Sequence, residues 1–459
     1  VWPLVPTAES LPRRTLRYLR RPHPAKYLLL TFASAILVGG SLLMLPIAKV
    51  GRGGAAPIEA FFTAVSAVCV TGHVIVDTAT FWTGFGQVVI LLMIQIGGFG
   101  VMTFASIIGL AVVRRLSLSG RLRAAAEVKA VGLDDVRSLV IGVVRISLIV
   151  EAIVFVLLAL RFWLGYGYSI GEAAWLGLFH AVSSFNNAGF SLFSDNMMGF
   201  VADPLIGLPI CASIILGGIG FPVIMQLRKH WRRPMLWSMN TKLVLWGTVL
   251  LLVGGWAYIT ILEWNNPGTL GPLDFGGKLL AGFFQSVQTR TAGFNSVDIG
   301  QLDSATLLGM DALMFIGGGT AGTAGGIKIT TFGVLFFIVL AEIRGEPVVN
   351  IFGKRLSRAV HREAIAVALL SVTFVAGATA VLMLLTDFSL DALLFEAVSA
   401  FATVGLSTGI TPDLGVAGQL VLMLLMFVGR LGTITFASAL ALRDRHILYD
   451  FPKERPIIG

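Results

Sequence analysis

FTAVSAVCVTGH (Phe62–His73), FHAVSSFNNAGF (Phe179–Phe190), FFQSVQTRTAGF (Phe283–Phe294) and FEAVSAFATVGL (Phe395–Leu406) align without a gap. Each carries a Phe ten residues before a Gly: Gly72, Gly189, Gly293 and Gly405. Each belongs to a short apolar segment, near 57–70, 173–185, 277–288 and 390–401. A helix of about 10–14 residues cannot cross a hydrocarbon core of about 30 Å, so this length suits a re-entrant helix. The downstream stretches align as well: IGGFG (96–100), LGGIG (216–220), IGGGT (316–320) and VGRLG (428–432). Two blocks recurring four times in one order read as an internal repeat.

Long apolar runs flank the short segments, at roughly 27–46, 84–113, 139–161, 205–227, 243–262, 307–341, 364–386 and 416–442. The order is long, short, long, four times over. The chain has 459 residues, 56% hydrophobic and 13% charged. Soluble domains carry about 25% charged residues, so a soluble enzyme and a disordered chain are both excluded. Two cysteines, Cys69 and Cys211, make neither a disulfide framework nor a thiolate metal site. Run 27–46 follows a basic stretch and is too long for the apolar core of a signal peptide, so it reads as a retained span. The expected fold is an all-α polytopic membrane protein. Four pseudo-fourfold M1–P-loop–M2 repeats surround a central pore, giving eight transmembrane helices plus four re-entrant pore helices. The expected units are a cytoplasmic segment 1–26, repeats at 27–114, 139–229, 241–342 and 364–443, and a cytoplasmic tail 444–459.

Charge sets the expected orientation. The segments before the first span, between repeats and after the last hold 26 of the 34 Lys and Arg but 10 of the 25 Asp and Glu. The opposite side holds four cations, Lys49, Arg52, Arg161 and Lys278, against fourteen acids. The positive-inside rule puts the basic side, with both termini, in the cytoplasm. The basic loops 114–137, 228–242 and 344–362 then face anionic membrane lipid and any cytosolic partner. The net charge of +9 is accounted for by this asymmetry, and nucleic acid is not an expected partner. The acidic outer face concentrates cations.

A re-entrant helix leaves extended backbone at membrane depth, which is tolerated only against protein or water. Four such stretches around one axis can turn their carbonyls inward and replace a cation's hydration shell. The candidate filter is Val70, Thr71, Gly72; Asn187, Ala188, Gly189; Thr291, Ala292, Gly293; and Thr403, Val404, Gly405. Its side chains are neutral, which favours a monovalent cation, K⁺ or Na⁺, over Ca²⁺. The competing reading makes the four glycines helix contacts, but packing glycines have no reason to end four apolar half-helices.

The third repeat differs. Its second helix contains Gly317, Gly318, Gly319, Thr320, Ala321, Gly322, Thr323, Ala324, Gly325 and Gly326. Each Gly costs about 1 kcal/mol against Ala in a helix, so the helix is expected to break and act as a gate (317–328) below the filter. A packing kink is the alternative. Lys328 closes this segment as a candidate gate residue. Arg430 replaces the second Gly of the shared block, where the other repeats have Gly98, Gly218 and Gly318. An Arg near the bilayer centre costs about 2.5–3.5 kcal/mol or more, so Arg430 is expected to face the pore as a barrier. Arg290 is expected to brace the pore loop from behind. Arg145 and Glu151 read as structural or lipid-edge residues. His73 and His180 read as packing residues by the pore helices. No HExxH motif occurs, and no paired carboxylates or Ser/His arrangement suggest an enzyme.

The fourfold repeat, FFQSVQTRTAGFN (283–295) and GGGTAGTAGGIK (317–328) resemble the KtrB/TrkH/HKT superfamily of K⁺ transporters over about 27–443. The resemblance is nearest the KtrB branch, because TrkH-like members carry two further N-terminal helices not seen here. It implies that Gly72, Gly189, Gly293 and Gly405 form the filter, with K⁺ (or Na⁺) as the only metal, bound there as cargo. It also implies an intramembrane gate loop with Arg430 beside it and a homodimer with one pore per protomer. The implied partner is a cytosolic RCK-type, KtrA-like ring that carries the nucleotide, so no organic cofactor is expected on this chain. The implied location is the bacterial cytoplasmic membrane. A TrkH/HKT-type Na⁺/K⁺ or Na⁺ transporter remains the alternative; a Ser in place of Gly72 would have favoured it.

Overall fold

The computed structural model describes residues 24–114 and 133–432, with side chains over 29–100, 102–103 and 140–432. Most of the expected segment 1–26, the middle of basic loop 114–137, the end of the fourth repeat and the tail 444–459 lie outside the described residues. The helices in chain order are α1 (Pro24–Leu43), α2 (Pro57–Val68), α3 (Thr78–Phe81), α4 (Gly84–Arg114) and α5 (Leu133–Tyr166). Next come α6 (Ile170–Phe185), α7 (Pro204–Ile219), α8 (Phe221–His230), α9 (Met239–Glu263) and α10 (Phe275–Gln288). The last are α11 (Ser304–Phe315), α12 (Ile329–Ile343), α13 (Arg358–Leu385), α14 (Leu390–Ala402) and α15 (Gly415–Leu431). A two-residue hairpin, β1 (Asn350–Ile351) against β2 (Lys354–Arg355), interrupts the basic stretch after α12.

The chain is thus mostly helical, and its surface matches a membrane. Leu164, Leu250, Ile261 and Leu384 are all more than 70% exposed, which apolar side chains tolerate in lipid. Val140–Tyr166, Met239–Glu263, Arg358–Leu385 and Thr411–Leu431 are long and apolar enough to cross, and α7 with α8 makes a fifth candidate across a 96° bend. Eight uninterrupted spans is a finer count than these helices carry. The run 307–341 contains α11 and α12, parted by non-helical residues 316–328 where glycine is dense. The run 205–227 divides at Gly220, whose φ of +94° is closed to most L-residues, and Pro222 then restarts the helix.

The short helices begin at the caps their sequences encode. The Ser169 hydroxyl accepts the Glu172 amide while Glu172 Oε2 accepts from Ser169, a capping box at the head of α6. Glu59 Oε2 accepts the Ala56 amide at 2.7 Å at the head of α2, and Asp274 accepts the Gly277 amide at the head of α10. Phe62, Phe179 and Phe395, the leading aromatics of the pattern, are fully buried; in α10 the buried ring is Phe284, one residue later.

Packing follows a circuit. Helices α1, α5, α9 and α13 lie against α2, α6, α10 and α14 respectively. Each short helix also packs on a helix of another unit: α6 on α4, α10 on α7, α14 on α11 and α2 on α15. The last contact closes the circuit between the two ends of the described chain.

Candidate functional site

The C-terminal ends of α2, α6, α10 and α14 run into four short extended stretches with one conformation. Val70, Asn187, Thr291 and Thr403 all have positive φ, between 51° and 69°. Two residues later Gly72, Gly189, Gly293 and Gly405 have φ of +92°, +68°, +81° and +93°. The first position ends each helix in the left-handed region, and the second turns the chain away.

The glycines are side by side. A Cβ on Gly72 would overlap the Ala188 carbonyl oxygen and lie 3.2 Å from Gly189 Cα. One on Gly189 would lie 2.5 Å from Ala292 O and 2.9 Å from Gly293 Cα. One on Gly293 would overlap Val404 O, and one on Gly405 would overlap Thr71 O and lie 2.9 Å from Gly72 Cα. The four stretches therefore form a closed ring in chain order, with the carbonyls of Thr71, Ala188, Ala292 and Val404 at its contacts. The ring has no side-chain charge of its own. Four helix C-termini end at it, each carrying roughly half a negative charge, a field that favours a cation.

Hydroxyls hold the ring from behind. Ser66 Oγ accepts the Gly72 amide at 3.1 Å, and Ser399 Oγ accepts the Gly405 amide at 3.1 Å. The equivalent Ser183 donates instead to the Phe190 carbonyl at 2.8 Å. The third stretch has Val287 at this position, and the neighbouring Gln288 Oε1 accepts the Phe294 amide at 3.1 Å. On the side past the glycines lies an open cavity of about 350 Å³, lined by Gly72, Gly189, Gly405, Asp77, Asp195 and Asn295 among others. Asp77 caps α3 there. Partial burial alone would raise its carboxyl, but the Ser194 and Thr80 hydroxyls and the Ala79 amide donate to it and hold it below the usual range.

On the other side the glycine-rich segment 316–328 folds under the ring. Ile316 and Ile327 form a parallel bridge, and the Gly317 amide donates to Ile327 O at 2.8 Å. The Thr323 hydroxyl donates to Asn187 Oδ1 at 2.9 Å, and the Gly325 amide to Thr291 Oγ1 at 3.2 Å. A Cβ on Gly325 would overlap Thr403 Oγ1. The segment thus touches three of the four ring stretches. Three cations grip its carbonyls. Arg290 donates to Ile316 O at 2.6 Å and Gly317 O at 2.9 Å, and Lys328 to Ala324 O at 2.6 Å. Arg430 donates to Thr323 O and, at 3.4 Å, to Gly97 O. None of the three has a carboxylate partner among the described residues. Lys328 closes the loop, and Arg290 from just past the end of α10 and Arg430 from α15 reach onto it.

A family described as TrkH, cation transport protein, matches residues 51–445. The chain belongs to this family. The potassium uptake protein B of the Ktr system of Bacillus subtilis is 41% identical over 418 residues, 91% of this chain and 93% of that protein. The protein of the same name from Vibrio alginolyticus is 39% identical, covering 95% of this chain and 94% of its own length. A potassium/sodium uptake protein, NtpJ, of Enterococcus hirae is 34% identical over 96% of this chain and 99% of itself. The crystal structure of the potassium transporter TrkH from Vibrio parahaemolyticus superposes with a TM-score of 0.71. It is 16% identical and covers 92% of this chain and 86% of that one, a likeness of fold. The family consists of cation transporters and not enzymes.

The sequence reading has no role for the buried Glu263 and Glu396, and Glu151, expected as a structural or lipid-edge residue, is buried inside the protein and structural. Glu151 of α5 accepts from Gln95 at 3.0 Å and Asn186 at 3.2 Å, directly behind the second ring stretch. Glu396 of α14 accepts from Ser407 at 2.5 Å, the Thr408 amide at 3.0 Å and Thr411 at 2.8 Å, with His73 Nδ1 at 3.6 Å. Glu263 accepts from Asn266, Thr269, Thr306 and the Asp303 amide where α9 ends. His180 is a buried packing residue with three polar contacts, Leu176 O at 2.8 Å, Ser191 Oγ at 3.1 Å and the Leu192 amide at 3.3 Å.

Proposed function

We propose that this chain moves K⁺ passively across the bacterial cytoplasmic membrane, down its electrochemical gradient. Four M1–P-loop–M2 repeats surround one pore, and the filter consists of the stretches ending at Gly72, Gly189, Gly293 and Gly405. The observation that carries this reading is the closed ring of four glycines with a carbonyl at each contact. Neutral walls and four helix C-termini suit an alkali ion stripped of water. The names of the Ktr relatives supply K⁺ as the ion.

Segment 317–328 is the gate in this reading. It lies directly under the ring, where Arg430 sets positive charge beneath the filter while Arg290 and Lys328 tie down the loop's carbonyls. Opening requires the loop to leave Asn187, Thr291 and Arg430 together. A cytosolic RCK-type ring that binds nucleotide controls that step, and two protomers associate, each with its own pore. The term "system" in the relatives' names fits a membrane subunit with partners. Both termini face the cytoplasm, as the basic loops require. The experiment is K⁺ uptake by an uptake-deficient bacterium expressing this chain, with and without an RCK-type subunit. Growth at low K⁺ is expected, and no growth in either strain would refute the reading. A K⁺/Na⁺ transporter is the second reading, favoured by the name of the Enterococcus relative; Na⁺ flux through purified protein in liposomes distinguishes it.

A further inference from the structure

Helix α7 has sixteen residues and rises about 24 Å, short of a hydrocarbon core of about 30 Å. At Gly220 the chain turns by 96° into α8. If α7 crosses from the outer face, α8 starts inside the inner leaflet and runs along it. An amphipathic helix sits at that depth, about 5–10 Å into the boundary between headgroups and acyl chains.

The sequence beyond the turn has the side chains of such a site. Arg228, Lys229, Arg232 and Arg233 are all exposed, and no Asp or Glu occurs between Asp203 and Glu263. Trp231 is 65% exposed, Leu236 53% and Met235 92%. The Arg232 guanidinium lies 4.7 Å from the centre of the Trp231 ring. Four cations without an acid, interleaved with bare Trp, Met and Leu, complement a surface that is anionic at its headgroups and apolar just beneath. The apolar side chains distinguish this from a site for a soluble anion.

This corner is cross-bonded and is also bonded to the loop under the ring. Gln226 Oε1 accepts the Ser238 amide at 3.2 Å and its hydroxyl at 2.9 Å, and Trp237 donates to His230 O at 3.1 Å. These bonds tie α8 to the head of α9. At the turn the Gly319 amide donates to Gly218 O at 2.8 Å and the Thr323 amide to Gly217 O at 3.1 Å. The Phe221 amide returns a bond to Ala321 O at 3.2 Å. A Cβ on Gly220 would overlap Thr320 O.

We infer that residues 228–237 form a docking site for anionic lipid headgroups of the inner leaflet, and that occupancy holds the loop under the ring. A ligand favours the state it binds, and the turned α8 is the loop-bonded state. The inference rests on the gate reading above and adds a ligand and a second anchoring point to it.

The test reconstitutes the full chain in vesicles of phosphatidylcholine alone or with a third phosphatidylglycerol. The variant R228Q/K229Q/R232Q/R233Q is compared with the parent protein. Phosphatidylglycerol is expected to lower parental K⁺ flux several-fold and to leave the variant unchanged. A parental flux that rises or stays constant, or a variant that responds like the parent, overturns the coupling. Binding is read separately, by quenching of tryptophan fluorescence with brominated phosphatidylglycerol against brominated phosphatidylcholine. The Trp231→Phe protein identifies the signal. Quenching of Trp231 that is stronger with the anionic lipid is expected. Equal quenching by both lipids, or none, overturns the site and leaves a cytosolic protein as the partner of this corner. A parent that conducts no K⁺ in any vesicle refutes the proposed function, while the quenching result still decides the lipid site.

Discussion

Gly72→Ser places a side chain where the structure has backbone. At φ +92° an L-residue is strained, and the new Cβ would overlap the Ala188 carbonyl oxygen with Gly189 Cα 3.2 Å away. Both neighbours are main chain, so the clash is relieved by moving the ring and not by a rotamer. Strain of this kind costs about 1–3 kcal/mol per residue. A factor of ten corresponds to about 1.4 kcal/mol. Were that strain expressed at the ion site, preference for K⁺ over Na⁺ would fall by about 5- to 150-fold. The assay is paired K⁺ and Na⁺ flux into liposomes containing purified protein. Gly254→Ala is the control, because that helical glycine has nothing within 4 Å of an added Cβ; it is expected to keep the parental ratio. A well-folded Gly72→Ser protein with the parental K⁺/Na⁺ ratio would refute the assignment of the ring as the filter.

Arg430→Ala removes the donor to Thr323 O and a positive charge beneath the ring; K⁺ flux is expected to rise several-fold, and a parental rate would deny it a barrier role. Deleting 319–326 removes the segment bonded to Gly217, Gly218 and Thr291; tight closure of the resulting protein in flux assays would contradict the gate reading, which expects a leak. Glu151→Gln keeps the shape but weakens the acceptor for Gln95 and Asn186; a shift in ion selectivity with little change in expression is expected, and the same liposome pair reads it. The Asp77 carboxyl is held below its unfolded value, so its contribution to stability is present above about pH 4 and is lost as pH falls through the lower, folded value. Thermal melts in detergent are expected to show a smaller acid-side loss for Asp77→Asn than for the parent.

The spacing of Phe and Gly located all four stretches that the structure brings into contact, because a helix end followed by a positive-φ glycine leaves a local signature. Six glycines in ten residues likewise marked the break between α11 and α12. The break at Gly220 was equally local, in Gly220–Phe221–Pro222, but lay inside a run apolar enough to read as one span. The partners of Glu151 and Glu396 were illegible for a different reason. Glu151 binds Gln95, 56 residues away, and Asn186, 35 residues away, so no short pattern joins them. Glu396 caps a turn formed by residues 407–411, and a lone acid in an apolar run gives no hint of that turn. The place of Arg290 one residue before the filter stretch, with a charge that would repel K⁺ in the path, puts it behind its pore loop. That it grips Ile316 and Gly317, 26 and 27 residues on, needed the fold.

The rear support of the ring is uneven. Ser66, Ser183 and Ser399 serve three corners, whereas Val287 with Gln288 serves the fourth. An assembly of identical subunits copies every mutation into each quadrant. Here each corner is encoded once and can drift alone. The corner with Val287 belongs to the same unit as the glycine-rich loop, so a change there alters one quarter of the ring and leaves the other three as they are.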